Sequence, residues 1–401
     1  MSVADYEVDY SEVAGKKESS AASHWGRMSV ADYEVDYSEV AGKKAECIDG
    51  CGMCCLCQPE VLPQERQFFR KNHPECLVRS RGPDQYFALA LKKGRGSCVF
   101  LNECRRCQIY DHRTTYCKQF PYHLYVSDHV KVELDMSCRG LWTGKGVDAL
   151  SEAKQMVAAA DDRLKQAVKE ASAVYREFYE NARAAGVMAD SSMLRMTVSE
   201  HLSDFTDLGF ISKILSMAEV EAQVSISGAK RGEKYDLKDL NDAARETALE
   251  SLSTDDPLSM PVYSAEDLSW NVFTVDKNKV EWMTVGDDGE FHHKGFADAD
   301  EIEIKPLNDE GSKVLAEYLG ILNGRDSFLG SVYYLIDANG YEDDLSNAYY
   351  GSLATAVLDI MWRAALLDRF FGTGFGARGI KEAIIFYDMD RLDAPAIGAF
   401  V

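Results

Sequence analysis

Eleven cysteines in a chain of 401 residues all fall between Cys47 and Cys138. Five of them, Cys47, Cys51, Cys54, Cys55 and Cys57, crowd into eleven residues. Cys76 stands alone, Cys98, Cys104, Cys107 and Cys117 form a second group, and Cys138 follows. A thiolate is a soft ligand, and sets of four suit zinc or iron–sulfur centres. Disulfides fit this pattern poorly. The count is odd, no secretory signal is recognised, and a chain of this length can build a core without covalent staples. Unliganded core cysteines also account poorly for such a density, which leaves metal ligation as the reading of these residues.

The choice of metal stays open at this level. Cys51, Cys54 and Cys57 follow the C-x2-C-x2-C spacing with Pro59 two residues on, close to the run that holds a [4Fe–4S] cubane in bacterial ferredoxins. Cys104 and Cys107 form a C-x2-C knuckle flanked by Cys98 and Cys117, which zinc uses equally well. The thiols suffice for two tetrathiolate sites of either kind. An iron–sulfur cluster is the expected cofactor, and a structural zinc is the alternative.

The order of motifs resembles the YkgJ-like cysteine-cluster family, also described as zinc- or iron-chelating CxxCxxCC domains. The matching positions are Cys47, Cys51, Cys54 and Cys55, then Cys98, then Cys107 with Ile109, Tyr110 and Arg113. Cys117 with Phe120 and Pro121, and Cys138 with Gly140, complete the pattern. Thr114 and Arg139 stand where the family carries proline. The resemblance covers about residues 46–146 and implies that the eight matching cysteines are metal ligands. Cys57, Cys76 and Cys104 are possible extra ligands. A related branch, the flagellin lysine methylases, links a similar motif to a cluster and methyl transfer, which makes a cluster-dependent methyltransferase a further alternative.

The surrounding chain must position these thiols. The expected class is α+β, mainly α: a small cysteine-rich metal-binding domain followed by a helical region with a short antiparallel β-meander. The division is an N-terminal arm at 1–45, the cysteine-rich domain at 46–146, helices at 147–256, and the meander with C-terminal helices at 257–401. Residues 1–17 recur unchanged as 28–44, which marks the arm as a polar, disordered or partly artefactual leader.

Charge divides unevenly. The arm carries a net −4, residues 45–146 carry +4, and the remainder carries −22. Lys92, Lys93, Arg95, Arg105, Arg106, Arg113, Lys118 and Arg139 lie near the thiols in sequence and either balance an anionic centre or are solvated. The acidic remainder argues against nucleic acid, where phosphate contacts dominate affinity. It suggests instead a protein partner for the acidic helices. No run of 18 apolar residues is present, so no transmembrane segment is expected, and the cytoplasm is the expected location.

A helix is predicted around Phe68 and Phe69, and a hairpin from Tyr122–Val126 and Val130–Leu134 turning at Ser127-Asp128. Seven-residue recurrence of Leu150, Val157, Leu164, Ala171 and Phe178 predicts one long helix packed in the core and ending at Gly186. Further helices are predicted within 191–224, and over Leu237–Leu252, Gly311–Leu322, Ser327–Ile336 and Tyr349–Phe370. Strands are predicted at 260–263, 270–275, 280–285 and 301–304. His73, His112, His123 and His129 are given ordinary polar roles. His292 and His293 lie in the meander on opposite faces of a strand. Gly374, Gly376 and Gly379 show dinucleotide-loop spacing, but a helix precedes them, so a glycine-rich helix stop is expected.

Overall fold

The computed structural model describes residues 33–80, 86–220, 224–253, 260–391 and 394–401. Strands β1 (Val35–Asp36) and β2 (Lys44–Ala45) lead to the first cysteines. Helix α1 (Arg66–Asn72), strands β3 (Leu77–Arg79) and β4 (Phe87–Leu89), and helix α2 (Thr115–Gln119) follow. The hairpin β5 (Tyr122–Val126) and β6 (Val130–Leu134) then precedes β7 (Val147–Asp148). Helices α3 (Ala149–Ala159), α4 (Asp161–Ala185), α5 (Ser191–His201), α6 (Leu208–Val220) and α7 (Leu237–Leu252) come next. The meander is β8 (Val262–Ser264), β9 (Trp270–Asp276), β10 (Lys279–Val285) and β11 (Phe291–Asp298). Helices α8 (Asp309–Gly324), α9 (Asp326–Ala338), α10 (Leu345–Phe371) and α11 (Ala377–Arg391), then β12 (Ala399–Phe400), close the chain. The mainly helical α+β class holds.

The expected hairpin forms in the register Tyr122↔Leu134 to Val126↔Val130. Its alternating apolar residues face the main core, and the sheet order is β1-β6-β5-β12. β12 adds antiparallel to β5, so the last residues of the chain cover the strand edge beside the cysteine region. β1 pairs parallel with β6, starting at Val35↔Val130. This corrects the expectation of a disordered arm for residues 33–45. Val40 is fully buried, and the Glu39 carboxylate accepts hydrogen bonds from Leu134 N at 3.0 Å and Arg325 Nε at 3.2 Å. Polar composition concealed a strand whose charged residues have buried partners. The first copy of the repeat lies outside the described residues.

Helix α7 and the meander turn at Asp276–Lys279 follow the sequence reading. Asp236 caps α7 by accepting from Lys238 N. Three expectations change. The long helix over 150–185 is two helices that break at Ala160, where φ/ψ is −99°/4°. Asp161 and Asp162 then open α4, where carboxylates favour the positive end of a helix. The seven-residue seam still buries Val157, Leu164, Ala171 and Phe178.

Residues 301–304 are not a strand. Ile302 and Ile304 are buried anchors leading into α8, and the meander's last strand is β11, whose Gly295 and two histidines blur the alternation. α11 had no counterpart in the sequence reading. Its continuous apolar stretch, Ile384, Ile385, Phe386 and Tyr387, is buried on all sides and shows no helical period. The glycine-rich stretch before it is a helix stop, with Gly372 left-handed at φ +64° and Gly374 N donating to Asp368.

Candidate metal centre

Short loops, each fixed by backbone hydrogen bonds, carry the cysteines. β2 pairs with β7, and this holds Cys47 two residues beyond Ala45. The approach is close, because a Cβ on Gly140 would lie 1.8 Å from Glu46 O. Cys51 N closes a turn on Ile48 O, and Cys51 O accepts from the Trp270 indole N–H at 2.9 Å. Gly52, at φ +61°, starts the single turn Met53–Cys55 under Leu101 and Trp270. Cys98 N donates to Cys55 O at 2.7 Å, which ties the first group to the second. Leu101 and Cys107 form a β-bridge. Cys117 lies on α2, and Cys138 follows the hairpin with its N–H on Asp135 O. A satellite core of Val61, Phe69, Leu89, Cys98, Phe100 and Ile109 supports the loops.

This arrangement brings the eight family-matching thiols into one electrostatic group. Cys54 acts on Cys47, Cys51, Cys55, Cys107, Cys117 and Cys138, and Cys98 joins through Cys55, Cys107 and Cys117. Burial pushes the thiols of Cys47, Cys51, Cys98, Cys107, Cys117 and Cys138 up, Cys98 to about 12. Neighbouring thiols add to the rise in each. Cys54 moves the other way, because the Cys55 thiol donates a hydrogen bond to it and so favours its thiolate. The Cys55 thiol is correspondingly held protonated.

Of the possible extra ligands, Cys57 and Cys104 are exposed, as Cys47 of the group also is, and the Cys76 thiol lies on Glu75 with its charge reaching Cys98. Among the described residues, no group of three or more Cys, His, Asp or Glu side chains is already arranged to hold a metal ion. The donor chemistry fits a soft or borderline metal nonetheless: eight thiols that act on one another electrostatically, where a cation would relieve the cost of ionising sulfur.

The cations of this region divide into three kinds. Arg113 favours the thiolates of Cys47, Cys54, Cys107 and Cys117, and its guanidinium stacks 3.8 Å from the Tyr110 ring. Arg139 favours the thiolate of Cys51 but is itself buried against Glu382. Lys92, Lys93, Arg95 and Arg105 turn to the β10–β11 loop and pair with Asp287, Asp288 and Glu290. Arg106 pairs with Asp49, and Lys118 is exposed. Much of the basic character of the cysteine region is therefore answered by the acidic remainder of the same chain.

Histidine follows the expected ordinary roles. His73 packs on Phe68 and Phe100, His112 packs on Phe68, and His129 lies between Asp128 and Asp326. His123 lies 3.7 Å from Asp135 and edge-on to Phe400.

Both departures from the family pattern have structural roles that sequence reasoning missed. Thr114 caps α2, its hydroxyl accepting from Cys117 N at 3.3 Å, a role its N-cap chemistry could have signalled. Arg139 reaches Ser264 O through Nε at 2.7 Å and both carboxylate oxygens of Glu382, which no local signal could show.

Residues 46–139 match the CxxCxxCC family model, whose description reads "Putative zinc- or iron-chelating domain". No curated protein and no solved structure matches the chain. The thiols from Cys47 to Cys138 thus lie within a stretch similar to a zinc- or iron-chelating domain, which supports metal binding there, and the remaining chain lies outside that match.

Proposed function

We propose that the eight gathered cysteines hold iron–sulfur clusters and that the chain serves in electron transfer, redox sensing or the assembly of a larger complex. The observation that supports this is the convergence of eight thiols, enough for two tetrathiolate sites, beside the cations Arg113 and Arg139. Such a centre, when bound, supplies one-electron chemistry. The chain's own contribution is to hold the thiolates. Arg113 offsets their negative charge, and the Thr114 hydroxyl partly opposes the burial that raises the Cys117 thiol. Trp270 and Leu101 cover Gly52 on one side. A reducing compartment such as the cytoplasm would keep these thiols available, and the unpaired part of the acidic surface would receive a basic protein partner.

Zinc is the second reading, favoured by one observation. The Cys55 thiol donates to Cys54, a pairing of adjacent cysteines that lies outside the C-x2-C-x2-C ferredoxin spacing. Metal and acid-labile sulfide content of protein purified without oxygen separates the two. Equal iron and sulfide, with a visible absorption that bleaches on reduction, supports the cluster. Stoichiometric zinc in a colourless protein overturns it.

A further inference from the structure

The facing sides of α9 and α10 leave a cavity of about 240 Å³. It is lined from α9 by Ser331 and Phe328 and from α10 by Ser352, Thr355 and Asp359. Ser352, Thr355 and Asp359 recur at helical spacing, so one face of α10 turns to the space with two hydroxyls and a carboxylate where a helix pair usually places large apolar side chains. Small residues alone would be loose packing. The second observation is Asp359. It is 1% exposed, its Oδ1 accepts from Arg363 Nε at 2.7 Å, and its Oδ2 is buried with no hydrogen-bond partner among the described residues. A buried carboxylate oxygen without a donor is costly, and such groups in folded proteins usually have an external partner.

The other charge on the wall is already satisfied. Arg325 donates to Asp388 at 2.6 and 2.9 Å, to Leu134 O at 2.6 Å and to Glu39 at 3.2 Å. The open valence of the cavity is thus an anionic acceptor, beside hydroxyls and an apolar wall of Phe328, Leu322 and Val332. The volume lies below the ~300 Å³ at which pockets for drug-sized ligands begin, so the occupant is small. We propose that this cavity binds a small organic amine, with its N–H groups on Asp359 Oδ2 and its apolar body against Phe328 and Leu322.

The test uses the full chain and tyramine as the probe, followed by calorimetry. The anion 4-hydroxyphenylacetate, which carries the same ring, is the control. Saturable one-to-one binding of tyramine, about tenfold or more weaker in Asp359→Asn, supports the site, since one charge-assisted hydrogen bond carries that much discrimination. Asp359→Asn keeps an acceptor for Arg363 but turns a donor toward the cavity. If that variant does not fold, Ser331→Phe decides, because Ser331 is only half-buried and lines the cavity from α9, whereas Asp359 and Arg363 lie on α10. Loss of tyramine binding in folded Ser331→Phe supports the site. No saturable binding at millimolar tyramine, equal binding of the anion, or undiminished binding in Ser331→Phe overturns it.

Discussion

Arg139 and Glu382 are 243 residues apart in sequence and meet as a buried pair, the guanidinium forking onto both carboxylate oxygens. Glu382 is fully buried and also accepts from the Tyr263 hydroxyl at 2.5 Å. Arg139 follows Cys138 directly, so the pair fastens the last cysteine of the thiol group to α11 in the helical body. The position that departs from the family's proline is thus a pin between the two parts of the chain.

Removing one member of the pair leaves the other charged, buried and alone. Arg139→Ala is expected to cost about 3–5 kcal/mol in urea denaturation. The double variant Arg139→Met/Glu382→Leu is expected to recover much of that loss, because an apolar pair of similar volume needs no desolvated charge. A single variant as stable as the wild type would remove the pin from the description.

Within the thiol group, Cys54→Ser and Cys117→Ser are expected to lose most bound metal, measured by elemental analysis against protein concentration. Cys57→Ser and Cys104→Ser, outside the eight family-matching positions, are expected to retain it. Circular dichroism separates ligand loss from unfolding, since the helical body outside residues 46–139 should keep its signal. Full metallation of folded Cys54→Ser would strike that residue from the ligand set.

His129 sits between Asp128 and Asp326, with both ring nitrogens 2.8 Å from a carboxylate, and Arg195 also holds Asp326. Hydrogen bonds to Asp128 and then to Asp326 raise its pKa from 6.5 to about 10. The folded value lies above the unfolded one, so the stabilisation is fully present below about pH 6.5 and is lost as pH rises through about 10. The stability difference between wild type and His129→Gln is therefore expected to be largest near pH 6 and to shrink by pH 10, read from thermal midpoints across that range. A difference that stays constant with pH would show that the ring acts by packing alone.

Gly96 and Gly289 allow the cysteine region to touch the β10–β11 loop through backbone. A Cβ on Gly96 would lie 2.4 Å from Asp287 O, and one on Gly289 would lie 2.5 Å from Arg95 O. Gly96→Ala is expected to cost about 1–3 kcal/mol and to speed hydrogen exchange at Ser97 N, which now donates to Asp287 O at 2.9 Å. Charge screening alone should do little, because the pairs of Lys92, Lys93, Arg95 and Arg105 with this loop are partly solvated. Unchanged exchange in Gly96→Ala would show that the contact is not held by backbone approach.

Elements with a strong local signal were legible. The β5–β6 hairpin followed from alternating Val130, Val132 and Leu134, and α7 was read over Leu237–Leu252, the bounds it takes. Elements that lie wholly inside the core were not. In α11 the run Ile384–Tyr387 is buried without interruption and Glu382 and Asp388 are buried charges, so no apolar/polar period marks the helix. The break at Ala160 carried no glycine or proline, and β1 was hidden in a polar repeat whose charges find partners only after folding.

The sequence by itself determined the chemistry available: which residues are thiols, their spacing, and their likeness to a zinc- or iron-chelating segment. These depend on residue type and local order alone. Only the tertiary structure decided that the eight family-matching thiols act on one another, that most nearby cations answer acids of the same chain, and that Arg139 belongs to Glu382. Each of those facts depends on segments that are distant along the chain, and on a burial that turns ordinary charges into ones that need a specific partner.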